Sequence, residues 1–106
     1  MTDNRKNGRY RRRLAIMLGG RIPAVTAEVS DRGFSAELPQ VFLPGSKVHG
    51  HLAIGERELP FKGEVTWARP GNPSLSVRSR FGVRFTELAP EFHELFHRLL
   101  DVRSTR

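Results

Sequence analysis

The sequence predicts a mainly β domain: a small six-stranded antiparallel β-barrel with a C-terminal α-helix. Apolar residues recur with period two through most of the chain, and short turn segments rich in glycine and proline punctuate them. Near the end the period changes to three and four. Many short strands followed by one terminal helix describe a barrel with a helical lid. A chain of 106 residues with 38% apolar residues has the size of one compact domain with one core.

Residues 1–8 are polar and without apolar periodicity, which predicts a flexible lead-in before a domain over residues 9–102 and a tail at 103–106. Leu14 to Leu18 suits a first strand, ended by Gly19-Gly20. From Ile22, the residues Val25, Ala27 and Val29 alternate with Thr26, Glu28 and Ser30, so a half-buried strand is expected with the valines inward. Asp31-Arg32-Gly33 then reverses the chain. Phe34, Ala36 and Leu38 continue the alternation until Pro39, Pro44 and Gly45 break it. Val48, Leu52 and Ile54, then Leu59, Phe61, Val65 and Trp67, form a hairpin pattern about the link Gly55-Glu56-Arg57. Pro70 to Pro73 makes a loop, and Phe81, Val83 and Phe85 supply a last strand. From Leu88 onward, Leu88, Phe92, Leu95, Phe96 and Leu99 fall on one stripe opposite Glu91, Glu94, Arg98 and Asp101. The pattern predicts an amphipathic helix opening at Pro90.

Charge is concentrated at one end. Of the net +7, the first thirteen residues carry +5, from Arg5, Lys6, Arg9, Arg11, Arg12 and Arg13 against Asp3. A basic arm on a nearly balanced body suits a local site for an anion better than a broad surface for long nucleic acid. The chain has no cysteine, which excludes disulfide staples, thiol catalysis and cysteine-ligated zinc and fits a reducing cytoplasm. The apolar run Leu14 to Leu18 is too short for a signal-peptide core or a bilayer span, so a cytoplasmic location is expected.

Two local features stand out on this outline: RYRRR at Arg9 to Arg13, before the first strand, and EVSDRG at Glu28 to Gly33, at the end of the second. Guanidinium groups bind phosphate bidentately and stack on purine faces, so arginines four residues apart can clamp a nucleotide's phosphate and base together. A serine hydroxyl, exposed turn amides and a carboxylate complement the polar edge of a guanine. Without a ligand, EVSDRG reads as a hairpin turn in which Gly33 supplies positive φ and Ser30 caps locally.

These residues resemble the PilZ family of cyclic di-GMP receptors, whose pattern pairs an RxxxR arm with a [D/N]xSxxG turn. Arg9 and Arg13 match the first, and Ser30 and Gly33 the second. EVTWAR at Glu64 to Arg69 and GVRFTELAPE at Gly82 to Glu91 look like the family's later strand and its entry to the terminal helix. The resemblance covers nearly the whole chain and implies a PilZ-like split barrel. It departs at Glu28, where the family carries Asp or Asn; the extra methylene keeps the acceptor but moves it outward by about one carbon–carbon bond. The resemblance implies that Arg9 and Arg13 hold phosphates and stack on guanines while Glu28, Ser30 and Gly33 contact the other guanine face. Family members often take an intercalated pair of cyclic di-GMP molecules, whose phosphates Arg12 and the other basic residues of the arm would help neutralise. Trp67 follows Val65 in an alternating strand and so reads as a core residue, whereas the resemblance implies that it borders the ligand and packs on a guanine. The expected function is a bacterial second-messenger receptor that signals to a partner protein. The alternative is a divergent interaction module that does not bind nucleotide.

Other chemistry finds little support. His93-Glu94-Leu95-Phe96-His97 matches the HExxH signature of zinc peptidases on the predicted helix, but such enzymes need a third ligand and a cleft, and only nine residues follow His97. His49 and His51 read as exposed strand residues, able at most to chelate adventitious metal. No G-x-S-x-G elbow or carboxylate pair for acid–base work is present, so neither an enzyme nor a resident metal or cofactor is expected. A small nucleic-acid-binding barrel is disfavoured because few aromatics are available to stack successive bases.

Overall fold

The structure is a computed structural model that describes residues 13–39 and 42–104. Six strands, β1 (Ala15–Leu18), β2 (Ile22–Val29), β3 (Gly33–Leu38), β4 (Lys47–Ile54), β5 (Arg57–Arg69) and β6 (Ser79–Leu88), precede one helix, α1 (Phe92–Ser104). The strands close into a barrel in the order β1-β2-β3-β6-β5-β4, every pairing antiparallel. The architecture is two three-stranded meanders, β1-β2-β3 and β4-β5-β6, joined at the β3–β6 and β1–β4 seams. Among the described residues, closure leaves no free sheet edge. The predicted barrel and terminal helix are therefore both present.

Local chemistry explains the tight connections. The β1–β2 turn places Gly19 and Gly20 at φ of +60° and +73°, a left-handed conformation that residues with a Cβ resist. Three cross-strand ion pairs sit at directly opposed positions on the outer surface: Glu37–Arg80 at 3.4 Å, Glu64–Arg84 at 3.1 Å and Lys62–Glu87 at 3.2 Å. Exposed pairs of this kind contribute only about 0.2–1 kcal/mol each, so they mark the register more than they hold it.

Within the barrel, Phe34, Phe61 and Phe85 form a triangle with ring centroids 5.4–5.8 Å apart. Phe85 meets Phe92 of α1 at 5.5 Å, and Phe92 stacks on Phe96 at 5.4 Å. Phe92 and Phe96 are fully buried, and they belong to the same cluster as Ile16, Leu18, Leu52, Leu59, Val65 and Phe81. The helical stripe read from the sequence thus packs on the barrel core. Arg57 in β5 pairs with Glu91 at 2.9 Å, an exposed contact between the β4–β5 hairpin and the entry to α1.

Three expectations shift. Leu88 ends β6 opposite Phe61, and α1 starts four residues later at Phe92, with Pro90 in the preceding turn. Leucine fits both periods, so the sequence alone does not separate strand end from helix start. In β2 the inward residues are Thr26 and Val29, while Val25 is 40% exposed. The cause is a bulge between Thr26 and Glu28, which inserts one residue and reverses the phase. Thr26 is buried because its Oγ1 accepts the Leu14 N–H at 2.9 Å, while its own N–H donates to the Leu14 carbonyl at 2.9 Å. The loop after Pro70 also holds a 3₁₀ turn, Pro73–Leu75, and an Asn72–Val77 bridge. Among the described residues, no helix is long and apolar enough to cross a membrane.

Phe92→Ala removes the ring that joins α1 to the barrel. The expected loss is about 3–5 kcal/mol, measured by urea unfolding, with β-sheet circular dichroism retained at zero denaturant.

Candidate functional site

The β-ladder builds the site. Glu28 of β2 lies opposite Ser35 of β3, Ser35 opposite Gly82 of β6, and Gly82 opposite Trp67 of β5. Laterally paired residues share a face, so one row crosses four strands: carboxylate, hydroxyl, bare backbone, indole. Three strand spacings separate its ends, about 14 Å. The two small central residues form a floor between Glu28 and Trp67.

Trp67 closes over part of that floor. A bulge between Val65 and Trp67 turns the strand out of the inward alternation, leaving the indole 40% exposed. Its ring lies against Gly82, where any Cβ would overlap the indole nitrogen. The Arg69 guanidinium sits 5.7 Å from the ring centroid, in cation–π contact. The reading of Trp67 as a core residue is therefore corrected: the β5 bulge puts it on the outer face, beside the turn.

The EVSDRG turn supplies the adjoining wall. Ser30 Oγ accepts the Arg32 N–H at 3.1 Å, the Ser30 N–H donates to the Gly33 carbonyl at 2.9 Å, and the Phe85 N–H donates to the Arg32 carbonyl at 2.7 Å. Local capping by Ser30 is present. Gly33, by contrast, does not adopt positive φ. It is needed because a Cβ there would overlap the Val83 carbonyl oxygen, so β3 approaches β6 only with glycine at this position.

Glu28, Ser30, Gly33 and Trp67 accordingly line one cleft of about 340 Å³, shared with Arg32, Phe34, Ser35, Thr66, Val83 and Arg84. Arg13 is exposed and borders a different, larger groove of about 820 Å³ along β1 and β2. Thr26 and Ala27 of that groove are followed directly by Glu28 and Val29 of the cleft, so β2 lines both hollows. Arg9 and Arg12 lie outside the described residues.

Sequence reasoning missed Ser35, Arg32, Gly82 and Arg84. Ser35 Oγ is buried without a hydrogen-bond partner among the described residues, an unused donor and acceptor in the cleft wall. The alternation of Phe34, Ala36 and Leu38 already assigns Ser35 to the outer face with Gly33, which is the signal that could have found it.

The family model for the PilZ domain matches residues 3–101. The chain belongs to the PilZ domain family. The PilZ fold is also shared with a solved structure, the Bacillus subtilis inhibitor of motility MotI/DgrA, at a TM-score of 0.78 and 15% identity. That match covers 99% of this PilZ chain and 54% of the MotI/DgrA chain, so the present chain spans about half the length of that protein. No curated protein sequence matches significantly.

Gly82→Ala should displace the only tryptophan of this PilZ domain from its seat. The expected outcome is a red-shifted Trp67 emission maximum as the ring becomes more hydrated. An unchanged spectrum would show that the ring does not rest on Gly82.

Proposed function

We infer that the protein is a cyclic di-GMP receptor that signals to a partner protein in the bacterial cytoplasm. The observation that carries this reading is the row Glu28–Ser35–Gly82–Trp67 beside the Ser30–Gly33 turn, in a chain of the PilZ family. PilZ domains are binding modules rather than enzymes.

In this reading a guanine lies on the flat floor between Glu28 and Trp67. The Glu28 carboxylate accepts hydrogen bonds from its Watson–Crick edge, the Ser30 hydroxyl and the backbone at Gly33 meet its other polar atoms, and the indole stacks on its face. Arg9 and Arg13 grip the phosphates and stack on the bases, and Arg12 adds charge. Chain geometry permits this: Leu14 is tethered at Thr26, and the five residue-to-residue steps from Arg9 to Leu14 reach up to about 17 Å, enough to pass across the row. Drawing a cationic arm onto the cleft changes the shape and charge of one surface, which a partner can read.

Glu28 favours a second reading. Its longer side chain, where the family carries Asp or Asn, suits a divergent PilZ module that recognises protein and has lost nucleotide binding.

Calorimetric titration with cyclic di-GMP at moderate salt, with GTP and a short single-stranded oligonucleotide as controls, tests both. The expected result is saturable binding selective for the cyclic dinucleotide, abolished in Arg9→Ala and Arg13→Ala with melting temperatures unchanged. Silence of the wild type together with strong binding by Glu28→Asp would instead establish the divergent module.

A further inference from the structure

The turn between β2 and β3 faces two ways. Ser30 and Gly33 line the cleft, whereas Asp31, between them, faces α1. Its Oδ1 lies 3.3 Å from His93 Nδ1 and its Oδ2 lies 3.2 Å from His97 Nε2. We propose that Asp31, His93 and His97 bind one divalent transition-metal cation of the zinc, nickel or cobalt class, pinning the turn to the helix.

The donor set is two imidazoles and one carboxylate, a combination that suits these ions and not magnesium or calcium, which prefer all-oxygen shells. His93 and His97 are one helical turn apart, so both rings rise from the same side of α1. Each ring is buttressed edge-on by a buried phenylalanine, His93 by Phe92 at 5.7 Å and His97 by Phe96 at 5.9 Å. The ligand atoms all lie within 4.8 Å of one another. Donors about 2.0–2.1 Å from a four-coordinate ion stand about 3.3 Å apart, which the two carboxylate–imidazole separations match.

A second observation points to a ligand. Asp31 Oδ1 is shut off from solvent and makes no hydrogen bond among the described residues, its neighbour being His93 Nδ1 at 3.3 Å in an ion-pair contact. The Asp31 side chain as a whole keeps 41% of its surface, so the desolvated part is this one oxygen, which a cation between it and the imidazoles would satisfy. The histidine side chains remain more than half exposed, so an ion can enter and complete its shell with water. Glu94, the acidic residue of the HExxH spacing, is engaged by Arg98 at 2.7 Å. The site therefore holds a metal without the free base that a peptidase requires, and the third ligand that the sequence lacked comes from a turn 66 residues before His97.

The test uses tag-free, chelator-treated full-length protein without nucleotide, so it stands apart from the receptor reading. Zn²⁺ titration should give one equivalent by calorimetry and a rise in melting temperature that Mg²⁺ does not produce, and Co²⁺ should develop visible absorption. Asp31→Ala, His93→Gln and His97→Gln should each lose the metal-dependent rise, judged against the same variant's metal-free melt. The double variant His49→Gln/His51→Gln should keep it. No saturable binding, or binding that survives Asp31→Ala or depends on His49 and His51, overturns the proposal and leaves Asp31 with a hydrogen bond to His97 and an ion-pair contact to His93 only.

Discussion

The register between β3 and β6 is the constraint on which the rest depends. Phe34 stands opposite Val83, Ser35 opposite Gly82 and Gly33 opposite Arg84, across strands separated by more than forty positions in the chain. A slip of one residue would turn Phe34 out of the aromatic cluster and bring Ser35 into the core. Two glycines hold the alignment from opposite strands. Gly33 lets β3 approach the Val83 carbonyl, and Gly82 leaves space for an indole on the outer face. The same contact between strands thus fills the interior and shapes the exterior, with Phe34 on one side of the sheet and the cleft floor on the other.

Much of this was legible in the sequence wherever a pattern is local. The alternation of Phe34, Ala36 and Leu38, the Leu52–Leu59 hairpin and the Phe92–Phe96 stripe each follow from side-chain geometry within one element, and the structure places all of them in the core. The phase of β2 was not legible because it is set from outside. The Leu14 backbone recruits the Thr26 hydroxyl, and the bulge that accommodates it reverses the faces of Val25 and Thr26. Periodicity read Val25 correctly as a strand residue and wrongly as a core one.

The candidate site divides in the same way. Ser30 and Gly33 could be read from one short turn, and Trp67 could be placed on a strand. That Ser35 and Gly82 lie between Glu28 and Trp67 depends on pairings among four strands, which no local pattern encodes. Asp31 and His97 are a more extreme case, brought together across most of the chain by the docking of α1. Arg9 and Arg13 matched a family motif, and of the two only Arg13 lies among the described residues, beside the neighbouring groove.

The arrangement as two meanders bears on how such a chain assembles. Within each meander every strand pairs with its immediate neighbour in sequence, so β1-β2-β3 and β4-β5-β6 can each form by short loop closures. The β3–β6 and β1–β4 seams cannot, and they carry the slow, entropically costly steps. On a nascent chain the first meander would emerge with both outer edges bare, and β3 would wait for the last strand to appear. The six-residue length of β3 and the four-residue length of β1 keep those temporary edges short, which limits the time and surface available for pairing with the wrong chain.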